Sequence, residues 1–378
     1  MDYILFGSIS VSDLLIILFL ISTLVQLFYY FFFYSRLAFS KIKETKTVVQ
    51  PISVVICARN EARNLEKNLP LLLNQDYPEY EVIVVNDCSE DDTADLLEDL
   101  GKKYARLKTT HIKKDAKFTH GKKLALTIGI KAASHEWLLL TDADCKPVSE
   151  KWIFGMQRNF SNETSVVLGY GAYSREKSLI NNFIRFDTFF IAIQYFGFAM
   201  AGIPYMGIGR NLAYRKSLFF ENKGFAAHRK LASGDDDLFI NQVATAGNTK
   251  VEFSSDTFTY SEAKKTFSAW LRQKKRHLTT GSHYNMGTKG LLAGELISRV
   301  FFYFLFIVLL INLKFLVIVL VAFFLRLITM LTIYKIGMAR LKEVNLFVPS
   351  LFYDILSPVI NLSLVISNII SSPPPTWK

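Results

Sequence analysis

The feature that most constrains this chain is the length of its uncharged segments. Residues 14–34 contain no charged side chain over 21 residues, and residues 300–334 are apolar except for a few side chains, chiefly Lys314 and Arg326. As a helix the first segment is about 31 Å long, enough to cross the hydrocarbon core of a bilayer. The second would be about 50 Å long, too long for one crossing, so we expect a hairpin that turns at residues 312–314.

The charges that flank the first segment predict its orientation. Asp13 precedes it, and four basic residues follow it within a short distance: Arg36, Lys41, Lys43 and Lys46. Basic residues favour the cytoplasmic side of a membrane. We therefore expect the N-terminus to face outward and the chain after residue 40 to lie in the cytoplasm.

A further apolar segment, residues 346–370, is interrupted by Asp354, Pro349 and Pro358. Its length suits a membrane span, but a re-entrant or interfacial helix is the alternative. The resulting prediction is a multi-pass protein of the cell (inner) membrane with three parts: an N-terminal transmembrane helix in 1–40, a cytoplasmic domain in 48–285, and two or three transmembrane helices in 290–372.

Composition excludes several classes of protein. The net charge is +11, from 44 Lys and Arg against 33 Asp and Glu, and contact with an anionic leaflet accounts for this excess. Basic runs interleaved with aromatic residues are missing from the sequence, so we expect no nucleic-acid partner. The three cysteines (Cys57, Cys88 and Cys145) form no CxxC pair, which argues against a disulfide framework or a structural zinc site.

The middle of the chain alternates short β-branched runs with amphipathic segments. The runs predict strands at 51–57, 80–86 and 136–141, and the segments predict helices at 61–74, 89–103 and 122–133. Strands that alternate with helices form βαβ units and a mainly parallel sheet. We therefore predict an α/β domain.

Acidic side chains follow two of the predicted strands. Asp142-Ala143-Asp144 comes directly after the third strand, at the end where ligands of α/β sheets collect. Carboxylates in this position suit Mg²⁺ or Mn²⁺, which can also hold a diphosphate, whereas a turn with a helix cap is the alternative. Asp87 ends the second strand and could accept a hydrogen bond from a base or ribose, while residues 89–92 resemble a capping box.

Residues 233–237 (SGDDD) place three acids side by side. Their mutual repulsion raises at least one pKa, and such a carboxylate can serve as a general base for an acceptor hydroxyl. The alternative is an acidic turn that caps the following helix.

Residues 273–277 (QKKRH) lie in a basic helical patch. Arginine and lysine can clamp a diphosphate, but a basic helix near a membrane can also bind lipid headgroups. Gly209 lies in a glycine-rich loop where a backbone can approach a ligand, and Lys122 begins a helix from which it could reach phosphate. The apolar stretch 183–205 predicts either a helix at the membrane interface, with a lipid acceptor, or ordinary core.

In this order, the segments resemble the family 2 glycosyltransferases, specifically their membrane-bound, cellulose-synthase-like branch. Residues 51–93 are similar to the opening segment of that family, LLLTDAD to its metal motif, SGDDDLF to its catalytic acid segment and QKKRH to its QxxRW motif. The resemblance covers about residues 50–280 and continues into the C-terminal helices. It implies a GT-A fold and inverting transfer from a UDP- or GDP-sugar to a lipid or glycan acceptor.

The resemblance also implies roles for individual residues. It assigns Asp235 as the base, with Asp236 as the alternative, and Asp142 and Asp144 as metal ligands. Donor binding would fall to Ala58, Asn60, Glu61, Asp87, Lys122, Asp142, Ala143 and Asp144. Binding of the acceptor or diphosphate would fall to Gly209, Asn211, Gln273 and Arg276.

The sequence departs from the family at two positions. Gly234 stands where a glutamate is common, which shifts the possible register of the base by one residue. His277 replaces the tryptophan of QxxRW, which favours addition of a single sugar over processive synthesis. A nucleotidyltransferase on the same fold and a non-catalytic membrane scaffold are the alternatives. The scaffold predicts that Asp144→Asn and Asp235→Asn leave cell function unchanged.

Overall fold

A computed structural model describes residues 4–5, 9–41, 48–113, 121–229, 231, 233–311 and 313–371. Within them the strands are β1 (Ile4–Leu5), β2 (Ile9–Ser10), β3 (Ile52–Ala58), β4 (Tyr80–Asp87), β5 (Leu107–Ile112), β6 (Trp137–Leu140), β7 (Lys146–Pro147), β8 (Val166–Leu168), β9 (Gly171–Tyr173), β10 (Leu212–Arg215), β11 (Thr249–Val251) and β12 (Thr259–Ser261).

The α-helices are α1 (Val11–Phe28), α2 (Ser35–Phe39), α3 (Ala62–Leu73), α4 (Thr93–Lys103), α5 (Lys122–Ala132), α6 (Trp152–Gln157), α7 (Leu179–Met200), α8 (Lys216–Glu221), α9 (Asp237–Val243), α10 (Phe267–Leu278), α11 (Met286–Leu309), α12 (Leu316–Arg340) and α13 (Ser350–Ile370). A π-helical segment, Tyr29–Tyr34, joins α1 to α2.

A seven-stranded sheet in the order β11-β8-β10-β6-β3-β4-β5 forms the centre of the domain. Strand β3 pairs in parallel with β4 and β6, and β4 pairs in parallel with β5, whereas β10 runs antiparallel between β6 and β8. The predicted α/β architecture with a mainly parallel sheet is confirmed. Its consequence is that β3, β4 and β6 end at the same edge.

Alternation along β3 builds two hydrophobic cores. Val54 and Ile56 belong to the core on the side of α3, which contributes Leu65 and Leu69. Val55 points to the opposite face and shares a core with the residues of α5 and α7. Because β3 is covered on both faces, its sequence is almost continuously apolar, as expected for a buried parallel strand.

Helix α7 occupies the apolar stretch for which the sequence left two interpretations open. Most of its side chains are buried. At its C-terminal end Phe198 lies 4.4 Å from Phe33 of the π-helical segment, measured between ring centroids. A Cβ atom on Gly197 would lie 2.6 Å from the carbonyl oxygen of Phe33, so a side chain there would force the two helices apart. The helix is therefore core, and it joins the sheet to the apolar helices.

Within the described residues, five helical segments are long and apolar enough to cross a membrane: Val11–Phe39, Leu179–Met200, Met286–Leu309, Leu316–Arg340 and Ser350–Ile370. Helices α11 and α12 form the expected hairpin. Residue 312 of its predicted turn lies outside the described residues, as does residue 372 at the end of the predicted membrane region. The third C-terminal helix contains Pro358 without being broken there.

Candidate active site

The loops that follow β3 and β4 brace each other at the edge of the sheet. Asn60 adopts a left-handed conformation (φ 55°), which asparagine tolerates better than most residues. Its backbone N–H donates to Ser89 Oγ at 2.9 Å, and its side-chain oxygen accepts from the N–H of Glu90 at 2.8 Å. The N–H of Glu61 donates to Thr93 Oγ1 at 3.1 Å. These hydrogen bonds hold the two loops at a fixed separation.

Asp87 is the last residue of β4 and is fully buried beside these loops, while Ala58 is buried at the end of β3. The helix predicted to begin at Ser89 begins instead at Thr93. The reason is that Asp91 accepts hydrogen bonds from the N–H groups of Ala62 and Thr93, which holds residues 89–92 in a turn.

Lys122 joins two distant acidic segments. Its Nζ lies 2.9 Å from Asp142 Oδ1, after β6, and 3.0 Å from Asp235 Oδ2, before α9. Burial disfavours the charged amine, but the carboxylates of Asp142 and Asp235 outweigh burial and raise the pKa of Lys122 well above its ordinary value. The structure thus brings together three residues that the sequence assigned to donor binding and catalysis.

The three consecutive acids have three different environments. Burial opposes ionisation of Asp235, yet Lys122 holds the pKa of this carboxyl below its ordinary value. Burial and the charges of Asp235 and Asp237 raise the pKa of Asp236 to about 7. Asp236 caps α9 by accepting from the N–H of Asp237 at 2.8 Å, and it also accepts from the N–H of Gly209 at 2.7 Å. Asp236 therefore provides the helix cap that the sequence left open as the alternative to a catalytic role.

Asp237 connects the acidic segment to the start of the membrane region. Its carboxylate accepts hydrogen bonds from the hydroxyls of Thr280 and Tyr284, the latter at 2.7 Å. Burial raises the pKa of Asp237 above its ordinary value, although both hydrogen bonds oppose this. Both hydroxyl partners lie just after α10, so this connection fixes the C-terminal end of α10 beside the acidic segment.

Asp142, Asp144 and Cys145 form a group whose ligand atoms all lie within 4.8 Å of one another. Burial and the neighbouring charge of Asp142 raise the pKa of Asp144 above its ordinary value. A cation between the two carboxylates would relieve this repulsion. Two carboxylates fit a hard cation such as Mg²⁺ or Mn²⁺, whereas the Cys145 thiol is a softer ligand that these ions do not favour.

Asp144 lines a second pocket, together with Asn68 and Ser261. Lys122, Asp142, Gly209, Asp235 and Asp236 instead line one cleft at the edge of the sheet. Its floor is apolar, from Val55, Cys57 and Leu126, and its polar walls carry Lys122, Asp142, Gly209, Asp235 and Asp236. A Cβ atom on Gly209 would lie 3.3 Å from Lys122 Nζ and 3.4 Å from Asp236 Oδ2. Glycine at this position therefore lets the loop approach the charged groups.

Asn211 does not belong to this cleft. It is fully buried, donates to the carbonyl oxygens of Tyr170 (2.9 Å) and Thr257 (2.8 Å), and accepts from Trp152 Nε1 (3.1 Å). The expectation that Asn211 binds acceptor or diphosphate is therefore corrected, because its amide is already satisfied inside the protein. The glycine-rich loop gave no signal of this, since the partners lie far away in the sequence.

Arg210 lies between Gly209 and Asn211, and the sequence did not point to it as a site residue. Its guanidinium stacks 4.2 Å above the ring of Tyr173 and donates to Ser261 Oγ at 3.1 Å. Its charge also lowers the pKa of Asp144, against the larger effect of burial. An arginine beside Gly209 was the available signal.

Gln273 and Arg276 both lie half-buried on α10. The same helix carries Lys274, whose Nζ donates to both carboxylate oxygens of Asp187 on α7, at 2.7 and 2.8 Å. This ion pair and the contacts of Asp237 fix α10 at two points.

Known proteins resemble this chain in sequence and in fold. Glycosyl transferase family 2 matches residues 53–227, and Glycosyl transferase family group 2 matches residues 159–356. The second match by itself covers more than half of the 378 residues. The probable glycosyltransferase YdaM of Bacillus subtilis is 29% identical over 250 residues, which cover 62% of this chain and 56% of that protein.

A poly-beta-1,6-N-acetyl-D-glucosamine synthase of Staphylococcus epidermidis is 36% identical over 103 residues, 27% of this chain and 24% of the synthase. The chain thus matches little more than half the length of the first relative and a quarter of the second.

Among solved structures, the mannosyltransferase PcManGT from Pyrobaculum calidifontis, in complex with GDP-Man and Mn²⁺, superposes with a TM-score of 0.59. The alignment covers 93% of this chain and 98% of that one at 17% identity, so it supports the fold alone. The architecture is the GT-A fold. The matched family, with this fold and these relatives, establishes that the chain belongs to Glycosyl transferase family group 2 and is a glycosyltransferase.

Proposed function

We propose that the protein is an inverting glycosyltransferase that moves a sugar from a UDP- or GDP-sugar to a lipid or glycan acceptor at the cytoplasmic face of the cell membrane. The observation that carries this proposal is the pair of contacts made by Lys122. They join a carboxylate at the end of β6 to one before α9, across a single cleft. Leaving-group binding and proton removal need such groups within reach of one substrate.

The donor would bind along the edge of the sheet. In this proposal Ala58, Asn60, Glu61 and Asp87 contact the nucleoside, where the two braced loops form a rigid rim. The diphosphate would lie near Lys122 and the segment 142–144. Asp142 and Asp144 would hold Mg²⁺ or Mn²⁺, which supplies positive charge to offset that of the leaving nucleoside diphosphate.

Asp235 is the proposed general base. It would take the proton of the acceptor hydroxyl while the acceptor oxygen bonds to the anomeric carbon and the bond from that carbon to the diphosphate breaks. Its partner Lys122 favours the ionised form, which a base requires. Asp236 is the alternative, but both of its oxygens already accept backbone N–H groups.

Gly209, Gln273 and Arg276 complete the site in this proposal. Gln273 and Arg276 would close over the diphosphate and the acceptor, since α10 ends beside the acidic segment. The resemblance of QKKRH to QxxRW supports membership of the membrane-bound, cellulose-synthase-like branch. Because His277 replaces the tryptophan on the acceptor side, we expect single additions rather than processive synthesis.

The membrane location rests on the apolar helices. Helices α1, α11 and α12 expose large apolar side chains along their length, which is stable only in contact with lipid. Multi-pass insertion with the catalytic domain in the cytoplasm follows from the basic residues after α1. An acceptor held in or at the bilayer would reach the cleft without crossing water.

The test is a screen of nucleotide-sugars with the full chain in membranes, which reads release of nucleoside diphosphate. We expect one donor to be turned over, and we expect Asp144→Asn and Asp235→Asn to abolish this. Asp99→Asn is the matched control, because Asp99 is an exposed acid on α4. Release of pyrophosphate would identify a nucleotidyltransferase instead. Full function in both site variants would support the alternative of a non-catalytic membrane scaffold.

A further inference from the structure

Two consecutive lysines begin α5, and their amines bind different parts of one segment of the chain. Lys122 contacts the carboxylate of Asp235 at 3.0 Å. Lys123 Nζ instead donates to two backbone oxygens of the residues that precede this acid, those of His228 at 2.7 Å and Leu231 at 2.9 Å. The first turn of α5 therefore holds both the side chain of the acid and the backbone that leads to it.

The segment that leads to the acid, residues 229–236, has little structure of its own. Its described residues (229, 231 and 233–236) belong to no helix or strand. Gly234 directly precedes Asp235 and has a φ of 100°, a conformation that glycine adopts more readily than any other residue. Because glycine also restrains the backbone least, the position of Asp235 depends on contacts made by the rest of the segment.

The two neighbouring acids fix Asp235 on its C-terminal side. Asp236 caps α9, and Asp237 accepts a hydrogen bond from Tyr284 at 2.7 Å. On the N-terminal side, Lys123 provides the corresponding support through the two backbone oxygens. The backbone that carries Asp235 is thus held from both directions along the chain.

The amine of Lys123 suits this role because it is charged and half-buried. Burial lowers its pKa to about 8, although the charges of Asp235, Asp237 and Asp236 oppose this, so the amine is mainly protonated at neutral pH. A protonated amine has only donors and can serve two carbonyl oxygens at once. Hydrogen bonds from a charged donor are stronger than those between neutral groups.

We propose that Lys123 is a positioning residue for the reaction: it holds the backbone before Asp235 and so sets where this carboxylate stands relative to Lys122 and the acceptor hydroxyl. This inference rests on the proposed function, in which Asp235 is the general base. The ion pair with Lys122 fixes only the separation of two side chains, whereas Lys123 fixes the backbone from which one of them extends. A displacement of about 1 Å at a reacting group can lower the rate about 100-fold.

The two lysines should differ in what they contribute to the reaction. Among the described residues, the lining of the cleft includes Lys122, which also contacts Asp142, but it does not include Lys123. We therefore expect Lys123 to influence the step in which the acceptor proton is removed, and to have no part in binding the donor. In kinetic terms, its loss should lower kcat and leave the KM for donor unchanged.

The first test compares kcat, the KM for donor and the affinity for UDP and GDP, the last measured by calorimetry. We expect Lys123→Met to lower kcat about 10- to 100-fold while the KM and the nucleotide affinity stay at their wild-type values. Lys123→Arg should restore most of the activity, because a guanidinium keeps the charge and several N–H donors. Lys131→Met, at an exposed lysine of the same helix, is the matched control and should equal the wild type.

The second test is hydrogen exchange of the full chain in detergent, followed by mass spectrometry. In Lys123→Met the amides of residues 229–236 should exchange faster than in the wild type, while those of α5 and α9 keep their protection. Lys123→Gln, which keeps an N–H donor on a shorter and neutral side chain, should fall between the methionine and arginine variants in both tests. It also provides a reading if the methionine variant does not fold.

Three results would overturn the proposal. They are a wild-type kcat in Lys123→Met, a loss of UDP or GDP affinity that matches the loss of kcat, and an arginine variant no more active than the methionine variant. Unchanged exchange of residues 229–236 in Lys123→Met would also contradict it. The absence of any donor turnover in the wild type would instead contradict the proposed function, and the exchange measurement would still decide whether Lys123 holds the segment.

Discussion

The buried ion pair between Asp187 and Lys274 offers the sharpest test of what holds α10 in place. Asp187 is 5% exposed and Lys274 is 8% exposed, and both carboxylate oxygens accept from the same amine at 2.7 and 2.8 Å. At an effective dielectric constant near 20, two charges at this distance attract by about 6 kcal/mol. Desolvation offsets most of that gain while both partners are present.

Lys274→Met removes the cation and leaves a buried carboxylate without its charged partner. We expect a loss of about 3–5 kcal/mol in the free energy of unfolding, a large part of the roughly 5–15 kcal/mol that proteins typically have. The double variant Asp187→Leu with Lys274→Met removes both charges and fills the space with apolar atoms. It should recover most of the loss, because neutral replacement of a buried pair is often harmless.

The measurement is unfolding of the purified protein in detergent, followed by the fluorescence of its tryptophans, for the single variants and the double variant. Lys102→Met is the matched control. Lys102 lies 2.9 Å from Glu98, but the two side chains are 66% and 71% exposed, so we expect no measurable loss of stability. The reasoning would be refuted if Lys274→Met and Lys102→Met were equally stable, or if the double variant were less stable than Lys274→Met.

Three further predictions concern the cleft and the buried residue Asn211. If Asp235 is the base, Lys122 holds it ionised, and donor turnover should stay level from pH 8 to about pH 5. As the pH is lowered, the residual activity of Lys122→Met should fall at a higher pH than the activity of the wild type. If Asp236 is the base, its pKa of about 7 predicts that the wild type already loses activity below neutral pH, as a pH–rate profile will show. Asn211→Ala should lower the free energy of unfolding by about 1–3 kcal/mol, because buried hydrogen-bond partners are left unpaired, and it should leave the KM for donor unchanged; a large rise in that KM with stability intact would restore Asn211 to the site. Gly209→Ala should lower kcat with little change in thermal stability, because its methyl group would press on Lys122 and Asp236; unchanged kcat would show that this close approach is not needed.

The sequence determined the elements that local pattern controls. The strands β3, β4 and β6 were found because each is a short, buried, β-branched run, and their parallel order followed from the helices between them. From their common carboxyl edge the sequence predicts that Asp87 and Asp142 belong to one site. The hairpin of α11 and α12 followed from length alone, because a largely apolar stretch of 35 residues exceeds one bilayer crossing.

The tertiary structure decided everything that depends on partners distant in the sequence. The sequence does not distinguish the three consecutive aspartates. In the structure each contacts a different partner: Asp235 pairs with Lys122, Asp236 accepts from Gly209 and Asp237 accepts from Tyr284. The sequence does not reveal that the last turn of α13 meets Lys275 of α10, because these residues lie far apart in the chain. The physical reason is that hydrophobic period and turn chemistry act over a few residues. Burial, charge pairing and helix placement arise only when segments many residues apart come into contact.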